Sequence, residues 1–381
     1  MTASAIQDDF SRKVYCVLGV PVDEITLSGL VDQIHRAARA RARLFLSTPN
    51  LNYLMLSQRD PGFRGSLLAS DICPADGVGV LLICRLLGIP ITSRVAGSDL
   101  PGALQASRTH PGSGPLRIAF FGGASGVGER AREAVNAGGT DRLVCVAAID
   151  PGVMTAAKMG DPAIVERVNA TGADFLIVAL GAQKGQAWLM GNRQKLTVPI
   201  VSHLGATLNF LAGTVKRAPA GFRKLGLEWL WRIKEEPKLA SRYLPDGMLL
   251  LWILATRLLP LSLWLRRPRA GNTSQGAGAW LDKDRSDRNC AINIAGDVDD
   301  AQLDPVIEAF RCAAHSGKNI SLDFHRLKFF GMGFAGQVLM LEKMALNQNL
   351  SLAIVGATPS VARALNWCGL KHLIQPSDNG E

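Results

Sequence analysis

Short apolar runs alternate with amphipathic stretches between residues 42 and 202 of the chain. The stretch 126–137 is typical of the amphipathic pieces, because its apolar residues recur at the spacing of a helix with one buried face. Strands that alternate with helices indicate a mostly parallel sheet covered by helices, and therefore an α/β fold. The predicted strands of this part are 42–47, 118–122, 143–149, 175–180 and 198–202.

A second, shorter pattern of the same kind fills the C-terminal part of the chain. The Gly- and Ser-rich stretch 268–279 comes before it, has no apolar periodicity and predicts a flexible linker. We expect the small α/β domain to fold alone and to be dispensable for the activity of the rest, because it has strands and helices of its own. Its predicted strands are 290–295, 320–324 and 351–355, and its predicted helices are 301–315, 336–346 and 360–368. The predicted division is a first domain over 1–220, an appendage over 221–269, a linker over 270–279 and the small domain over 280–381.

Composition and cysteine spacing narrow the class of protein. A chain of 381 residues and 40.8 kDa has room for two or three domains. Its 48% hydrophobic and 19% charged residues exclude disordered and coiled-coil proteins. The seven cysteines lie far apart without a CxxC pair, which argues against a zinc ribbon or a disulfide framework and favours a reducing cytosol.

The net charge of +10 is concentrated in one stretch. Residues 213–269 hold twelve Lys or Arg against four acids, a net charge of +8, together with four of the seven tryptophans. Basic residues interleaved with Trp and Leu are typical of a helix at a membrane surface. A solvated basic face is the alternative. Nucleic-acid binding is disfavoured, because its charge would lie on a polar face without this Leu and Trp content.

The segment 247–265 is apolar enough to consider as a membrane span. Arg257 and Pro260 interrupt it, and basic residues both precede and follow it, so the positive-inside preference draws both ends to the same side. We therefore expect an interfacial or re-entrant helix pair, broken before Pro260. The N-terminus shows no apolar core typical of a signal peptide, so the catalytic part of the chain is expected in the cytoplasm.

Polar residues follow several predicted strands, where open α/β sheets bind ligands. Thr48 and Asn50 follow the first strand, and Asp76 lies in a Gly-flanked turn within an apolar stretch. An aspartate in such surroundings has a raised pKa and suits a general base. The alternative for these positions is an ordinary capping turn or Asx turn.

Two further loops suggest binding of phosphate. Arg94 precedes a predicted helix start, where a cation beside a helix N-terminus suits a phosphate and a surface ion pair is the alternative. Gly122 and Gly123 end a strand and lead into a helix, so backbone amides there could hold a diphosphate. The spacing GGxxGxG is not the regular dinucleotide fingerprint, which disfavours a nicotinamide cofactor.

These segments together resemble the WecG/TagA/CpsF glycosyltransferases, family 26, over about residues 15 to 245. The resemblance implies a mostly parallel, Rossmann-like catalytic domain that transfers a sugar from a UDP-sugar, of the N-acetylmannosamine or glucose type, to a polyprenyl-diphosphate-linked saccharide. It further implies inversion at the sugar, no metal or other cofactor, and work in cell-surface polysaccharide synthesis at the cytoplasmic face of the inner membrane. The matching segments are STPNLNYL, ICPADGVGV, SRVAGSDL, FFGGASGVGERA, ADFLIVALGAQK and LNFLAGTVKRAPAGFRKLGLEWLWRIKEEPKLASRYL.

The resemblance assigns roles by position. Asp76 is then the base that deprotonates the acceptor hydroxyl, and Thr48 and Asn50 line the sugar and acceptor pocket. Arg94 holds phosphate charge. The basic tail is expected to close over the site at the membrane and to supply arginines to the lipid diphosphate, for which the candidates are Arg223, Arg232 and Arg242.

Two positions depart from the family pattern. The family has a Gln where this chain has Gly185, and a Phe-Asp pair where it has Leu208 and Asn209. Gln183 or Gln186 is expected to replace the lost amide, and Asn209 to contact substrate. A catalytically weakened scaffold that recruits polysaccharide enzymes at the membrane surface is the alternative function.

The small domain resembles a STAS domain in the segments INIAGDVD, SLDFHRLKFFGMGFAGQVLML and LSLAIVGATPSVARALNWCGL. Phosphoswitching STAS domains carry Asp-Ser where this chain has Gly331 and Met332. Since a hydroxyl is required to accept phosphate, Met332 argues against phosphorylation there. A protein-docking or ligand-sensing module, with an unknown partner, is the expectation that remains.

Overall fold

The computed structural model describes residues 8–107, 114–138, 141–215, 218–219, 221–222, 231, 234, 240–267, 278–282 and 289–375, with only the backbone of 156–157, 240–243 and 281–282. The strands are β1 (Val14–Val17), β2 (Val20–Asp23), β3 (Leu44–Leu46), β4 (Leu116–Gly122), β5 (Leu143–Ile149), β6 (Phe175–Ala179), β7 (Ile200–His203), β8 (Gly278–Asp282), β9 (Asn289–Val298), β10 (Asn319–Phe330) and β11 (Leu352–Val355). The helices are α1 (Leu27–Ala40), α2 (Leu51–Arg59), α3 (Pro61–Leu68), α4 (Val78–Leu86), α5 (Leu100–Ala106), α6 (Val127–Ala137), α7 (Pro162–Asn169), α8 (Ala182–Asn192), α9 (Thr207–Leu211), α10 (Ala240–Ile253), α11 (Leu259–Leu265), α12 (Asp304–Ala314), α13 (Met332–Asn347) and α14 (Pro359–Cys368).

The chain forms two compact units. In its described part the first unit comprises residues 25–81 and 92–246, and the second comprises 8–24, 82–91 and 247–375. Two short segments from the N-terminal third thus belong with the C-terminal domain. The units therefore cut across the predicted boundaries at 220, 269 and 279.

The first unit is built on a five-stranded parallel sheet in the order β3-β7-β6-β4-β5. Alternate residues of β4 enter opposite cores: Ile118 and Phe120 lie in one, Ala119 and Phe121 in the other. Burial of both faces is why these strands read in the sequence as continuous apolar runs. The predicted parallel α/β fold is confirmed, and each of the five predicted strands lies in this sheet.

The second unit contains a four-stranded sheet in the order β11-β10-β9-β8, in which only β8 runs antiparallel to its neighbour. The three strands and three helices predicted for the small domain are confirmed. Strand β8 was not predicted, because it begins at Gly278 inside the Gly-rich stretch interpreted as a linker. Residues 268–277 of that stretch lie outside the described residues.

The N-terminal hairpin β1–β2 packs on helices of the second unit. A side chain at Gly336 in α13 would overlap the carbonyl of Val14, with its Cβ 2.7 Å from the carbonyl carbon. A Cβ at Gly369, just after α14, would lie 2.5 Å from the nitrogen of Gly19. Glycine is required at both positions because backbone meets backbone there. The hairpin and the C-terminal domain therefore share one interior.

Buried charges join the same two pieces. Arg12 pairs with Asp23 at 2.8 Å and with Asp9 at 2.8 Å, and Lys343 of α13 also reaches Asp9 at 2.8 Å. Gln337 of α13 donates to the backbone oxygen of Arg12 at 3.1 Å. Removal of one partner from a buried ion pair costs about 3–5 kcal/mol, because the other charge is left uncompensated. The small domain thus shares buried partners with residues 9–23, while its independent folding stays a prediction.

A continuous helical run joins α10 to α11 through one π-helical turn, Leu254–Leu258. The wide turn lies just before Pro260, whose ring cannot donate to the preceding turn. The expected break before Pro260 is therefore wrong: the helix is widened there but not interrupted. By length and composition alone, Leu244–Leu265 could cross a membrane.

One face of this helical run is buried in the second unit. Trp264 stacks on Phe329 of β10, with ring centroids 4.8 Å apart, and its indole N–H donates to Ser360. Ser262 and Arg266 donate to the backbone oxygen of Leu86, at the end of α4, at 2.9 and 3.1 Å. Arg257 donates to the carbonyl of Trp367, and burial lowers the pKa of its guanidinium.

Candidate active site at the carboxyl ends of the sheet

The sheet order places the carboxyl ends of β3, β7, β6 and β4 side by side. Most of the predicted site residues follow these strands, as expected for the ligand-binding edge of an open parallel sheet. A parallel bridge between Leu46 and Ile72 brings a further segment beside β3 and carries the chain into the turn of Asp76. The sheet therefore gathers loops that are far apart in the sequence.

Three loops meet at Asp76. Its amide nitrogen donates to the carbonyl of Pro49 at 2.9 Å, which joins the turn to the loop after β3. The neighbouring Ala75 accepts from the amide of Val95 at 2.9 Å, which joins it to the loop that carries Arg94. On that loop the amide of Gly97 donates to Oδ2 of Asp76 at 3.4 Å. The half-buried carboxylate thus lies where the three loops converge.

Thr48 and Asn50 occupy the loop that supports the Asp76 turn. Thr48 is buried, and a Cβ at Gly97 would lie 3.2 Å from its hydroxyl oxygen and 2.5 Å from Leu204. Gly97 is thus needed for the close approach of its loop. Asn50 caps helix α2, because its side-chain oxygen accepts from the amide of Tyr53 at 3.0 Å. The capping role, which the sequence left open for Asn50, is present.

Arg94 is paired with a nearby carboxylate. Its guanidinium lies 3.2 Å from Oδ2 of Asp99, and both side chains are half-buried. The ion pair that was the alternative for Arg94 therefore exists. A guanidinium has five N–H donors in a planar fork, a geometry that suits a phosphate as well as a carboxylate.

The glycines after β4 are shaped by packing. Gly122 and Gly123 both have φ of +93°, a conformation that favours glycine. The amide of Gly123 donates to the carbonyl of Ala179 at 2.8 Å, and a Cβ at Gly122 would lie 2.7 Å from Leu180. The Gly123 amide is therefore committed to the neighbouring strand, which weakens the predicted diphosphate cradle at this position.

The two glutamines expected to replace the family amide point to different places. Gln183 donates to Asp60 at the surface, at 3.1 Å. The pKa of Asp60 is lowered, first because the amide of Phe63 donates to it and then because Gln183 does. Gln186 is fully buried and donates to the hydroxyl of Ser47 at 2.9 Å. This hydrogen bond stabilises the loop after β3.

The remaining predicted residues are Asn209 and the three arginines of the basic tail. Asn209 in α9 accepts from the amide of Thr214 at 3.0 Å, which closes a local turn. Arg223 and Arg232 lie outside the described residues, as does the side chain of Arg242, whose backbone lies in α10. Their predicted roles at a lipid diphosphate stay predictions.

Tyr53 and His203 form a buried pair that the sequence did not single out. The hydroxyl of Tyr53 lies 2.5 Å from Nδ1 of His203, and Nε2 of the same ring lies 2.5 Å from the carbonyl of Leu180. Burial raises the pKa of Tyr53, with a contribution from the charge of Asp76, and burial lowers the pKa of His203. The departure at Gly185 was the available signal, since the ring of His203 lies against that glycine.

Two parts of the chain match known protein families. A sequence profile described as the glycosyl transferase WecG/TagA/CpsF family matches residues 15–262. The chain belongs to this family and is a glycosyltransferase. A second profile, described as "Mlab, STAS domain", matches residues 281–375, so the predicted STAS domain is confirmed.

Two relatives carry the name N-acetylglucosaminyldiphosphoundecaprenol N-acetyl-beta-D-mannosaminyltransferase. The protein of Staphylococcus aureus (strain MRSA252) is 25% identical over 224 residues, which are 57% of this chain and 82% of that protein. The protein of Bacillus spizizenii (strain ATCC 23059 / NRRL B-14472 / W23) is 26% identical over 193 residues, 51% of this chain and 72% of that protein. Among solved structures, the unphosphorylated anti-sigma factor antagonist SpoIIAA is similar over 27% of this chain and 90% of its own, at 15% identity and a TM-score of 0.24.

The phosphorylation position of the STAS domain is closed in this chain. Met332, which begins α13, is buried. Asp300 accepts from the amide of Gly333 at 2.8 Å, and a Cβ at Gly331 would lie 3.1 Å from the Asp300 carboxyl carbon. A carboxylate therefore already occupies the helix N-terminus, where an added phosphate would be repelled by like charge.

Proposed function

We propose that this chain transfers a sugar of the N-acetylmannosamine or glucose type from a UDP-sugar to a polyprenyl-diphosphate-linked saccharide, with inversion at the sugar. The observation that carries the proposal is the position of Asp76, where the loops of residues 47–50, 73–77 and 94–97 converge. The names of the two relatives support the acceptor, because both act on a sugar linked to undecaprenol through a diphosphate.

The proposed chemistry is a single displacement. Asp76 takes the proton of the acceptor hydroxyl, whose oxygen attacks the anomeric carbon on the face opposite UDP. A new glycosidic bond forms as the bond to the UDP oxygen breaks, and UDP leaves with the electron pair. Arg94 balances the charge that develops on the diphosphate, as fixed cations do for departing anions. One base and one leaving group give inversion, since no covalent enzyme intermediate is formed.

The test is a product assay. The full chain in vesicles is given UDP-N-acetylmannosamine or UDP-glucose with a synthetic polyprenyl-diphosphate N-acetylglucosamine acceptor. UDP release and the glycosylated lipid are quantified, and the anomeric configuration of the product is read by NMR. We expect one donor to be used and the anomeric configuration to invert. Retention at the anomeric carbon overturns the single displacement.

The weakened-scaffold alternative is favoured by one observation, the replacement of the family amide by Gly185. The same assay separates the two functions. Absence of turnover with every UDP-sugar, in a chain that still binds UDP, supports the scaffold.

We further propose that the enzyme works peripherally at the cytoplasmic face of the inner membrane. Apolar side chains recur along the exposed face of the α10–α11 run: Met248, Leu251, Trp252 and Leu263. This face lies within the stretch of residues 213–269 that carries a net charge of +8, which suits an anionic lipid surface. The opposite face packs on protein, which favours a helix lying at the interface over one surrounded by lipid.

A further inference from the structure

We propose that His203 positions the two stretches that flank the active site, the loop of residues 47–50 and the loop and first turn of α8 at residues 180–186, and that position 185 is glycine to admit its ring. The inference deepens the proposed function and rests on it. His203 ends β7, which lies between β3 and β6 in the sheet, so its side chain starts between the two strands that lead into these loops. It is a positioning residue, because both of its ring nitrogens are engaged by protein atoms.

The hydrogen bonds fix the orientation of the ring. The carbonyl of Leu180 can only accept, so Nε2 of His203 carries the proton and donates to it at 2.5 Å. In the neutral ring Nδ1 is then an acceptor, and the hydroxyl of Tyr53 donates to it at 2.5 Å. Leu180 begins the loop after β6, and Tyr53 lies in the first turn of α2. One imidazole therefore connects the loop after β6 to the first turn of α2.

The hydrogen bonds of His203 connect it to two candidate substrate-binding residues, Asn50 and Gln183. The amide of Tyr53 donates to the side chain of Asn50. Tyr53 therefore connects His203, through its hydroxyl, to Asn50, through its amide. On the other side, Leu180 lies three residues before Gln183. A change in the ring is therefore transmitted to Asn50 through two hydrogen bonds, and to Gln183 through one hydrogen bond and three residues of backbone.

Glycines on both sides make room for the imidazole. A Cβ at Gly185 would lie 2.9 Å from Nε2 of His203 and still closer to Cδ2. A Cβ at Gly205 would lie 3.2 Å from both Cε1 and Nε2. The Gly185 departure from the family pattern thus has a physical cause: a larger residue at 185 and a histidine at 203 cannot coexist in this arrangement.

The experiment is a double-mutant cycle between Gly185→Ala and His203→Gly in the full chain. We expect Gly185→Ala to lower kcat/KM at least 10-fold, because the new methyl displaces the ring, and a misplacement of about 1 Å can cost 100-fold in rate. In the His203→Gly background, which is itself impaired, the same change should have no further effect. Gly191→Ala is the matched control, since it lies in the same helix with nothing within 4 Å of its Cβ; it should be silent.

The Tyr53→Phe variant distinguishes a positioning role of His203 from a role in stability alone. It also provides a second test if Gly185→Ala fails to fold. It keeps the ring that packs edge-on against Phe63 but removes the donor to His203. We expect KM for donor or acceptor to rise at least 3-fold, measured well below the melting temperature. The proposal is overturned if Tyr53→Phe lowers only the melting temperature, or if the loss from Gly185→Ala persists without the imidazole.

Binding of UDP alone, measured by calorimetry, distinguishes failure of this inference from failure of the proposed function. If the wild-type chain turns over no donor, the proposed function fails. The double-mutant cycle then uses UDP affinity as its readout, and we expect Gly185→Ala to weaken binding only when His203 is present. Equal weakening in both backgrounds overturns the positioning role.

Discussion

The amide of Gly97 donates to the carboxylate of Asp76 across 3.4 Å, which joins two loops that are separated by the whole of α4. The carboxylate is held in place by its neighbours on both sides, since the Asp76 amide is itself bound to Pro49. The side chain of Asp76 is thereby fixed in one orientation. This arrangement suits a base that must meet one hydroxyl of a bound acceptor.

Replacement of Asp76 by asparagine tests that role. The amide keeps the shape and an acceptor oxygen for Gly97 but cannot take a proton at neutral pH. We expect the fold and UDP binding to be retained and turnover to fall by about 100-fold or more, the usual scale for loss of a general base. Asp150→Asn is the control, since this exposed carboxylate just after β5 accepts from the amide of Gly152 in its own turn. Near-normal turnover of Asp76→Asn would remove Asp76 from catalysis.

Gly336→Ala tests the packing of the N-terminal hairpin on α13. The added methyl would overlap the carbonyl of Val14, and overpacking typically costs about 1–3 kcal/mol. We expect the free energy of unfolding, measured by urea denaturation, to fall by that amount. Gly247→Ala has open space around its Cβ and should be neutral or stabilising. Equal stability of the two variants would contradict the shared interior.

Truncation after Arg269 tests whether the STAS domain is dispensable. The cut removes Lys343 and Gln337, and leaves Asp9 and the hairpin without their buried partners. We expect a lower melting temperature and exposure of residues 8–24 to protease. A stop after Gln375, which keeps every described residue, serves as control. An unchanged melting temperature after the longer truncation would restore the independent-module interpretation.

The membrane proposal is tested on the exposed face of α10–α11. Leu251 and Trp252 are 66% and 59% exposed, so a Leu251→Glu/Trp252→Glu variant loses little packing within the protein. We expect weaker sedimentation with vesicles that contain anionic lipid, since apolar insertion is lost and negative charge is added. Leu346→Glu, at a leucine that is 59% exposed in α13, is the matched control. Unaltered binding of the double variant would exclude this face as the lipid contact.

His203 predicts a dependence of stability on pH. Burial lowers the pKa of His203 in the native state below its ordinary value of 6.5. The unfolded chain therefore takes up the proton first as the pH falls below 6.5, and the native state loses stability by up to about 1.4 kcal/mol per pH unit until the native pKa is reached. Tyr53 stays protonated throughout, because burial raises its pKa. Urea denaturation between pH 8 and 5 should show the gap between wild type and His203→Gly narrowing; a constant gap would contradict the shift.

Much of the candidate site could be predicted from local sequence. Asp76 stood out because glycines follow a lone carboxylate in an apolar stretch, and Thr48 and Asn50 because they follow a strand. His203 could not be found in this way, since its partners Tyr53 and Gly185 lie in other segments. The hydrogen bond of the Gly123 amide could not be predicted from local sequence either. Its acceptor, the carbonyl of Ala179, belongs to β6, which lies beside β4 only because of the order of strands in the sheet.

The sequence by itself determined the strands of the parallel sheet, the STAS-like pattern and the family, because each depends on residues close together in the chain or on their order. Only the tertiary structure decided that residues 8–24 and 82–91 belong with the STAS domain. Gln337 and the backbone oxygen of Arg12, which join the hairpin to α13, are 325 positions apart. Hydrophobic periodicity reports which face of an element is buried but not what buries it, so partners at that separation are fixed only when the chain folds.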